Sequence, residues 1–417
     1  MKNSFTTPYY HIDETLLKKD MNLLSDSLKQ NWGDNFVCGY SVKTNSLPWL
    51  LTYLKKAGFY AEIVSETEYE LVKQLGFDES HMIYNGPIKG QETFNRFLLT
   101  DAYLNMDSMD ELNYLEELSS QYPDRKFSVG LRVNYDIEND CPGETMMGKT
   151  GGRFGYCYEN GELKKVIDRI QALPNVTIGG LHMHSSSQLR TLHIFEALAG
   201  AACKIVEEYK LALTYVDMGG GYYGGVPDKP NYGDYFPVIC NKLKSTLDPG
   251  KTTLLVEPGV SLISAATTFV TSVKDIKDVR GIRYVVTDGS RLNLNPQVTR
   301  HVYPHHLNRI ASNEGSDSNC PNSNSIFSDS SKKVIPSQWI CGFTCMEYDR
   351  LFEVTDEKEL LCGDEIIYDL AGGYTMCLNP LFIRYLPPVY IRHEDGSYFT
   401  AREQWGVSEY LQKNYTE

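Results

Sequence analysis

In this 417-residue chain, four short segments stand at the ends of apolar runs and contain residues that can do chemistry. Lys43 could form a Schiff base, and partial burial would lower its pKa and make the amine more reactive. His184 offers a flat imidazole, Gly219–Gly225 can bring backbone amides against a phosphate, and Glu257 can pair with a ring nitrogen. An amine, a ring partner, a phosphate cradle and a carboxylate together indicate pyridoxal phosphate.

Each of these residues has a plainer interpretation when it is taken alone. A single lysine is most often solvated, a carboxylate before Pro-Gly often caps the next segment, and glycine clusters mark ordinary loops. Their occurrence together at the ends of apolar runs favours the cofactor site.

His182 and His184 have the spacing of a strand, so both point to one face. Such a pair could bind a metal, but no acidic or cysteine partner is close in sequence. The ten cysteines also lack metal-type spacing, and Cys341 and Cys345 have no second pair nearby. We therefore expect a stacking histidine and no metal.

Eight apolar runs, most of them followed by amphipathic segments of helical spacing, predict a (β/α)8 barrel. The runs are 36–42, 60–64, 82–84, 102–106, 127–133, 178–183, 213–218 and 254–256. The chemically suggestive residues fall at their carboxyl ends, which is the face where barrel enzymes build their sites.

Beyond about Ala266 the pattern changes to strand-like pieces without helices between them. We predict a cofactor-binding barrel at 12–266 and a mostly β domain made of 1–11 and 267–417. Residues 312–333 are rich in Ser, Asn and Asp, so we interpret them as a mobile insertion of that domain.

The composition excludes some functions. A net charge of -14 and a pI near 5.2 argue against a nucleic-acid partner, because phosphate binding needs a basic face. The N-terminal residues lack the apolar stretch of a signal peptide, and no apolar run approaches ~18 residues. These observations predict a cytoplasmic protein with reduced thiols and no membrane partner.

Together the segments resemble the pyridoxal-phosphate decarboxylases of the alanine-racemase-like fold, the family of diaminopimelate, ornithine and carboxynorspermidine decarboxylases. The resemblance runs from about Pro8 to Tyr385. It implies α-decarboxylation of an amino acid, a β-barrel second domain, and a head-to-tail homodimer with shared active sites.

By this resemblance Lys43 carries the cofactor, and Glu62 stands where the family's Asp-x-x-Ser segment has aspartate. Arg132 would lie beneath the cofactor, His184 would stack on its ring, and Ser187 would bind the phosphate.

The resemblance also assigns the remaining cofactor contacts. Gly220 and Gly221 would cradle the phosphate, and Glu257 with Gly259 would hold the pyridine nitrogen. Tyr374, in a segment like the family's Gly-Ala-Tyr, would be a second hydroxyl donor to the phosphate.

A cysteine loop, Gly342–Asp349, completes the site implied by the resemblance; we call it the Cys345 loop. Cys345 would reach the partner's cofactor and protonate Cα after carbon dioxide leaves, with Asp349 nearby. An isolated cysteine is seldom catalytic, so the catalytic role of Cys345 rests on the resemblance.

Two departures concern the substrate. The family commonly has arginine where this chain has Val260, and an acidic residue beside the cysteine where this chain has Met346. Glu347 could compensate for Met346, and Arg291 or Arg300 could supply another anion contact. The departures favour a larger or derivatised amino acid with a less charged far end.

Three alternatives stay open. The chain could be a genuine meso-diaminopimelate decarboxylase of lysine biosynthesis. It could be an amino-acid racemase, which needs a second base, normally a tyrosine. It could also be a silent regulatory homologue, which would be expected to lose Lys43, Cys345 or the phosphate glycines.

Overall fold

The computed structural model describes residues 5–187, 189–297, 299, 302–310 and 333–415. The chain divides into two compact units, one of Lys19–Leu262 and one of Met1–Lys18 with Ile263–Glu417. Arg300 and, apart from Lys333, the predicted insertion at 312–333 lie outside the described residues.

The first unit is a closed barrel of eight parallel strands. Its strands are β2 (Phe36–Ser41), β3 (Tyr60–Ile63), β4 (Met82–Tyr84), β5 (Tyr103–Met106), β6 (Phe127–Asn134), β8 (Val176–His182), β9 (Tyr215–Asp217) and β10 (Thr253–Val256). Pairing runs β2-β3-β4-β5-β6-β8-β9-β10 and returns to β2, while β7 (Tyr156–Cys157) pairs with the end of β6. Every predicted barrel strand is present, and the predicted fold class is confirmed.

Helices alternate with the barrel strands: the first precedes β2, and each of the others lies between two successive barrel strands. They are α1 (Glu14–Trp32), α2 (Pro48–Lys56), α3 (Glu66–Gln74), α4 (Gln91–Leu98), α5 (Met109–Gln121), α6 (Glu162–Gln171), α7 (Leu192–Tyr209) and α8 (Tyr232–Leu243). Ser65, Ser108 and Thr191 each accept a hydrogen bond from a backbone N–H of the first turn, which satisfies a donor that the helix leaves free. The caps of α3 and α5 begin these helices after short loops from β3 and β5, whereas α7 begins after a longer loop at residues 183–191.

The barrel strands are buried on both faces, as parallel strands covered by helices must be. Ile83, Tyr215 and Leu255 form part of this core. Several buried side chains at or just beyond the strands' carboxyl ends are polar, and these are Glu62, Asn85, Asn105, His182, Asp217 and Glu257. Burying so many polar groups is costly unless they bond one another or a ligand.

The second unit is mostly β, as predicted. Its strands are β1 (Tyr9–Asp13), β11 (Thr267–Val279), β12 (Ile282–Thr287), β13 (His305–Asn308), β14 (Val334–Cys341), β15 (Arg350–Lys358), β16 (Glu365–Tyr368), β17 (Val389–Arg392) and β18 (Tyr398–Arg402). They form one sheet in the order β15-β14-β12-β11-β1-β17-β18, with β16 joining β11 to β13. Three short helices, α9 (Val260–Ile263), α10 (Arg291–Leu294) and α11 (Val407–Tyr410), complete the order.

The strand-like pieces seen in the sequence at 268–273, 282–286, 365–368 and 389–391 correspond to β11, β12, β16 and β17, whereas β13, β14, β15 and β18 are not among them. Pro336 lies inside β14, and prolines argue against a strand when only the sequence is seen. β18 is largely exposed and so lacks an apolar face. Pairing with a neighbour, which the sequence alone does not reveal, defines these strands.

Two further predictions can be compared with the structure. Cys362 is disulfide-bonded, so the prediction of uniformly reduced thiols is wrong at this position. Eight other cysteines of the described ranges are not disulfide-bonded. Among the helices that the structure describes, none is long and apolar enough to cross a membrane.

Candidate cofactor site

Lys43 and Glu62 form an ion pair at the mouth of the barrel. Lys43 lies in a single 3-10 turn after β2, and its Nζ is 2.5 Å from Glu62 Oε2. The Glu62 side chain is 1% exposed and that of Lys43 is 39% exposed. Ser41 Oγ donates to the same Glu62 oxygen at 2.6 Å. Glu62 therefore fixes an amine that small molecules can reach.

Asn85 links two carboxylates that are far apart in sequence. It follows β4, and its Nδ2 donates to Glu62 Oε1 at 3.1 Å and to Glu257 Oε1. Asn105, inside β5, donates to Asn85 Oδ1 at 2.9 Å and to Asp217 Oδ2 at 3.2 Å. This amide chain sets the positions of the acidic groups without adding charge.

Glu257 and Asp217 share one buried pocket with His182, whose Nε2 lies 3.5 Å from Glu257 Oε2. Burial acts to raise the pKa of Glu257, but His182, Lys43 and a hydrogen bond from Asp217 hold it below its usual range. Burial and the Glu257 charge raise the pKa of Asp217 well above its usual range. Glu257 is thus the ionised member of the pair and Asp217 the protonated one.

His184 presents a neutral imidazole just beyond β8. Burial, followed by the charges of Arg132 and His182, lowers its pKa to about 3. Gly219, at φ +63°, allows this approach, because a Cβ there would lie 2.7 Å from His184 Cβ. A flat, uncharged ring can stack on an aromatic cofactor and does not compete with it for Glu257.

The glycine segment after β9 packs tightly against the loop after β10. A Cβ at Gly220 would lie 2.2 Å from the Glu257 carbonyl oxygen, and Gly221 has φ +97°. A Cβ at Gly259 would lie 2.2 Å from Thr44 Oγ1. These positions require glycine, which leaves the backbone open to an anion.

Arg132 lies on β6 with its Nε buried and without a hydrogen-bond partner among the described residues. That nitrogen is 3.5 Å from Asp107 Oδ2, and the guanidinium lies 4.8 Å from the Phe154 ring centroid. Both ring nitrogens of His182 are likewise buried without a hydrogen bond in this part of the chain. Buried polar atoms left unsatisfied in this way are a feature of ligand sites.

Ser187 is engaged with the loop after β6. Its Oγ donates to the Glu144 carbonyl oxygen at 2.9 Å and accepts from Arg190 N at 2.9 Å. Its role toward a phosphate remains a prediction. A phosphate contact through its hydroxyl proton would replace the bond to Glu144.

The Cys345 loop belongs to the second unit, and Cys345 itself is exposed. Asp349 is buried and accepts bonds from Ser290 Oγ, from Arg291 N at 2.9 Å, and from Thr344 Oγ1 at 2.7 Å. These bonds occupy both oxygens of its carboxylate. Asp349 therefore holds the loop in shape.

The neighbours of Cys345 differ in exposure. Met346 is partly buried, whereas the Glu347 side chain is 97% exposed and lies 3.4 Å from Arg350. Arg291 donates through Nη1 to the Tyr348 carbonyl oxygen at 2.7 Å. Of the two acids in this loop, only Glu347 faces solvent.

The other predicted contacts lie at chain turns. Tyr374 has φ +54° and is 37% exposed, and Val260 begins α9 partly buried. Gly372 lets the turn before Tyr374 approach Ile263, because a Cβ there would lie 2.1 Å from the Ile263 carbonyl oxygen.

The structure brings Lys43, Glu62, His184 and Glu257 together at one end of the barrel. The sequence marks Asn85 as a polar residue at the end of a predicted strand but assigns no role to it, and Asn105 is absent from the predicted site. Their signal in the sequence is a polar residue inside or just after a buried apolar strand. That signal does not show which polar side chains contact one another in the folded barrel.

The residues present fit pyridoxal phosphate. They supply a reachable amine, a neutral stacking ring, an ionised carboxylate beside a protonated one, and glycine loops of open backbone. The buried nitrogens of Arg132 and His182 that make no hydrogen bond among the described residues add donors that a ligand could meet.

Comparison with known proteins agrees with this geometry. Residues 18–264 match the family described as pyridoxal-dependent decarboxylase, pyridoxal binding domain. The chain is 26% identical over 418 residues to a probable chloroplastic diaminopimelate decarboxylase of Oryza sativa, covering 97% of this chain and 79% of the relative. It is 25% identical over 417 residues to an L-glutamyl-[BtrI acyl-carrier protein] decarboxylase of Niallia circulans, covering 96% and 92%.

Among solved structures, a diaminopimelate decarboxylase of M. jannaschii aligns with a TM-score of 0.82 at 22% identity, covering 99% of this chain and 93% of that one. This likeness concerns the fold. With the family match over more than half its length, the chain belongs to the pyridoxal-dependent decarboxylases. It is a carboxy-lyase that uses pyridoxal phosphate.

Proposed function

We propose that this enzyme removes the α-carboxylate of an amino acid whose far end is larger or less charged than that of diaminopimelate or ornithine. The observation that carries the proposal is the Cys345 loop, where Met346 replaces the acid expected beside the cysteine. Asp349 is committed to hydrogen bonds from Ser290, Arg291 and Thr344.

The residues of the barrel would act in distinct ways. Bound pyridoxal phosphate supplies an electron sink for the electrons released when a bond to Cα breaks. Lys43 would hold the cofactor covalently, and Glu62 would orient its amine. Glu257 would keep the pyridine nitrogen protonated, and the neutral His184 would press against the ring. Arg132 would stabilise negative charge from below.

Cys345 would deliver a proton to Cα after carbon dioxide has left. It is exposed, and the Asp349 bonds hold its loop in one shape, as proton delivery at a fixed atom requires. We propose that it acts on a second copy of the chain in a homodimer. Exposed apolar side chains at Leu381, Phe382 and Ile383 are suited to such an association.

The far end of the substrate would meet few fixed charges. Val260 offers no cation after the Glu-Pro-Gly segment, and Arg291 is bonded to the Tyr348 carbonyl oxygen. Glu347 is the remaining acid of the Cys345 loop, and its pairing with Arg350 is solvent-exposed and therefore weak. A free, doubly charged far end would find little compensation here.

Two kinds of relative indicate the competing substrates. Diaminopimelate decarboxylases are frequent among the relatives, which favours meso-diaminopimelate and lysine biosynthesis as the second candidate. The relative named for an L-glutamyl carrier-protein substrate is similar over nearly its whole length. Its name favours an amino acid attached to a larger group.

The remaining alternatives have less support. A racemase would need a second base in place of the Cys345 loop. A silent homologue would not be expected to keep Lys43, Glu257, Cys345 and the phosphate glycines.

The test is carbon dioxide release by the purified holoenzyme from meso-diaminopimelate, ornithine, lysine, arginine, carboxynorspermidine and forms of these amino acids that are acylated on the distal nitrogen and keep a free α-amine. We expect turnover of an acylated substrate to exceed that of its free form. Efficient turnover of free diaminopimelate would refute the proposed specificity while leaving decarboxylation intact.

A variant tests the structural reason. Met346→Glu should improve kcat/KM for diamino acids, while Met346→Leu, which keeps an apolar side chain of similar size, should not. If neither variant changes the substrate preference in kcat/KM, residue 346 does not contribute to substrate selectivity.

A further inference from the structure

The loop after β6 folds against the start of α7 and gathers three side chains with different donor atoms. Cys141 Sγ, a Glu144 carboxylate oxygen and a His193 ring nitrogen all lie within 4.8 Å of one another. His193 Nδ1 is 3.3 Å from Glu144 Oε1. These residues take no part in the cofactor site described above.

We propose that Cys141, Glu144 and His193 form a site for one divalent transition-metal ion of the Zn²⁺ class. Sulfur, nitrogen and oxygen are the donors that Zn²⁺ accepts, and three protein ligands leave a fourth position for water. Cys141 is buried, whereas the His193 side chain is 55% exposed and that of Glu144 18% exposed. An ion can therefore enter from the histidine side and reach a sheltered sulfur.

Hydrogen bonds within the loop hold its conformation. Glu138 accepts bonds from Gly143 N at 2.7 Å and from Thr145 Oγ1 at 2.6 Å. Cys141 N donates to the Ile137 carbonyl oxygen at 2.8 Å, and Glu144 N to that of Cys141 at 3.1 Å. Two of the three ligands thus sit on one preformed turn, which lowers the ordering cost of binding.

A neighbouring hydroxyl orients the Glu144 carboxylate. Thr191 Oγ1 donates to Glu144 Oε2 and leaves Oε1 turned toward His193. Hydrogen bonds of this kind are typical of carboxylates that bind metals. Because Thr191 also caps α7, the position of Glu144 is tied to the helix that carries His193.

The electrostatics suit a cation. The carboxylates of Glu144, Asp140 and Glu138 surround the Cys141 sulfur with negative charge. Negative surroundings of this kind attract a dication.

The site would also steady one end of the cofactor pocket. Met146 N donates to the Ser186 carbonyl oxygen at 2.9 Å, and Ser187 Oγ donates to that of Glu144 at 2.9 Å. A metal that joins the loop to α7 would restrain the Ser187 segment from both sides. This coupling rests on the proposed phosphate role of Ser187, whereas the metal site does not.

The experiment is titration of the metal-stripped, pyridoxal phosphate-loaded full chain with Co²⁺, followed by difference absorption. We expect one Co²⁺ per chain, visible d–d bands of four-coordinate cobalt, and a near-ultraviolet sulfur-to-cobalt band. Zn²⁺ should displace Co²⁺ and abolish both sets of bands. Absence of the sulfur band, or binding of no Co²⁺, would overturn the proposal.

Variants assign the ligands. His193→Ala alters an exposed side chain and should fold normally, and it should weaken Co²⁺ binding by about 10- to 100-fold or more. Cys141→Ser should abolish the sulfur band. Cys157→Ser is the matched control, because it removes a thiol of the same unit that does not belong to the cluster. Equal affinity in wild type and His193→Ala would overturn the assignment, whatever the decarboxylase activity.

Discussion

Asn85 is the side chain whose removal tests the site most directly. Its amide donates to Glu62 and to Glu257, and it accepts from Asn105. In Asn85→Ala, Glu62 keeps Ser41 and Lys43, whereas Glu257 loses its amide donor and keeps its 3.5 Å approach to His182 and the hydrogen bond from Asp217. The change therefore acts mainly on the carboxylate proposed to hold the pyridine nitrogen.

The expected fall in kcat/KM of Asn85→Ala follows from these hydrogen bonds. A hydrogen bond to a charged group contributes about 1.5–3 kcal/mol. If Glu257 loses that support in the transition state, kcat/KM should fall about 10- to 100-fold, since 1.36 kcal/mol corresponds to a tenfold change in rate. KM should change less than kcat, because Asn85 would act through Glu257 and not on the substrate.

Asn175→Ala provides the matched control. Asn175 is also buried and also makes three side-chain hydrogen bonds, to the carbonyl oxygens of Ser119, Tyr122 and Arg125. It precedes β8 and thus lies at the amino end of the barrel, away from the site. Denaturant unfolding should show both variants destabilised by about 2–4 kcal/mol.

Carbon dioxide release at saturating cofactor then separates the two variants. Only Asn85→Ala should lose turnover. Equal loss in both variants would mean that stability, and not the position of Glu257, limits activity. Full activity in Asn85→Ala would refute the argument for an amide-linked acid pair.

Three further predictions concern single residues. Lys43→Ala should abolish turnover and the borohydride-reducible cofactor link, and retained activity would exclude Lys43 as the cofactor lysine. Cys345→Ala should keep cofactor absorbance but slow product formation or misplace the proton at Cα, as deuterium incorporation from heavy water would reveal; Cys157→Ala is its control. The His184 pKa of about 3 lies below the unfolded value of about 6.5, so its contribution to stability is complete above pH 6.5 and is lost as the pH falls toward 3. Denaturant unfolding at pH 7 and pH 5 should therefore show a loss of about 2 kcal/mol that is missing in His184→Phe, and an equal loss in both proteins would contradict the lowered pKa.

The barrel could be predicted because its signal is local and repeated. Each strand is an apolar run with its own neighbouring helix, and the caps at Ser65, Ser108 and Thr191 mark where helices begin. For the second unit, the sequence predicted that the domain is mostly β but not how its strands pair. Its strands depend on partners far along the chain, as β1 depends on β11 and β17.

The sequence by itself determined which chemical groups stand at the ends of the barrel strands, including Lys43, His184 and Glu257. Strand periodicity and glycine spacing are properties of neighbouring residues, so one chain suffices to detect them. Only the tertiary structure decided how these groups meet. Asn85 reaches Glu62 and Glu257 because a closed barrel brings β3, β4 and β10 to one mouth. The ionisation of Glu257 beside a protonated Asp217 likewise depends on burial and distance, which exist only after folding.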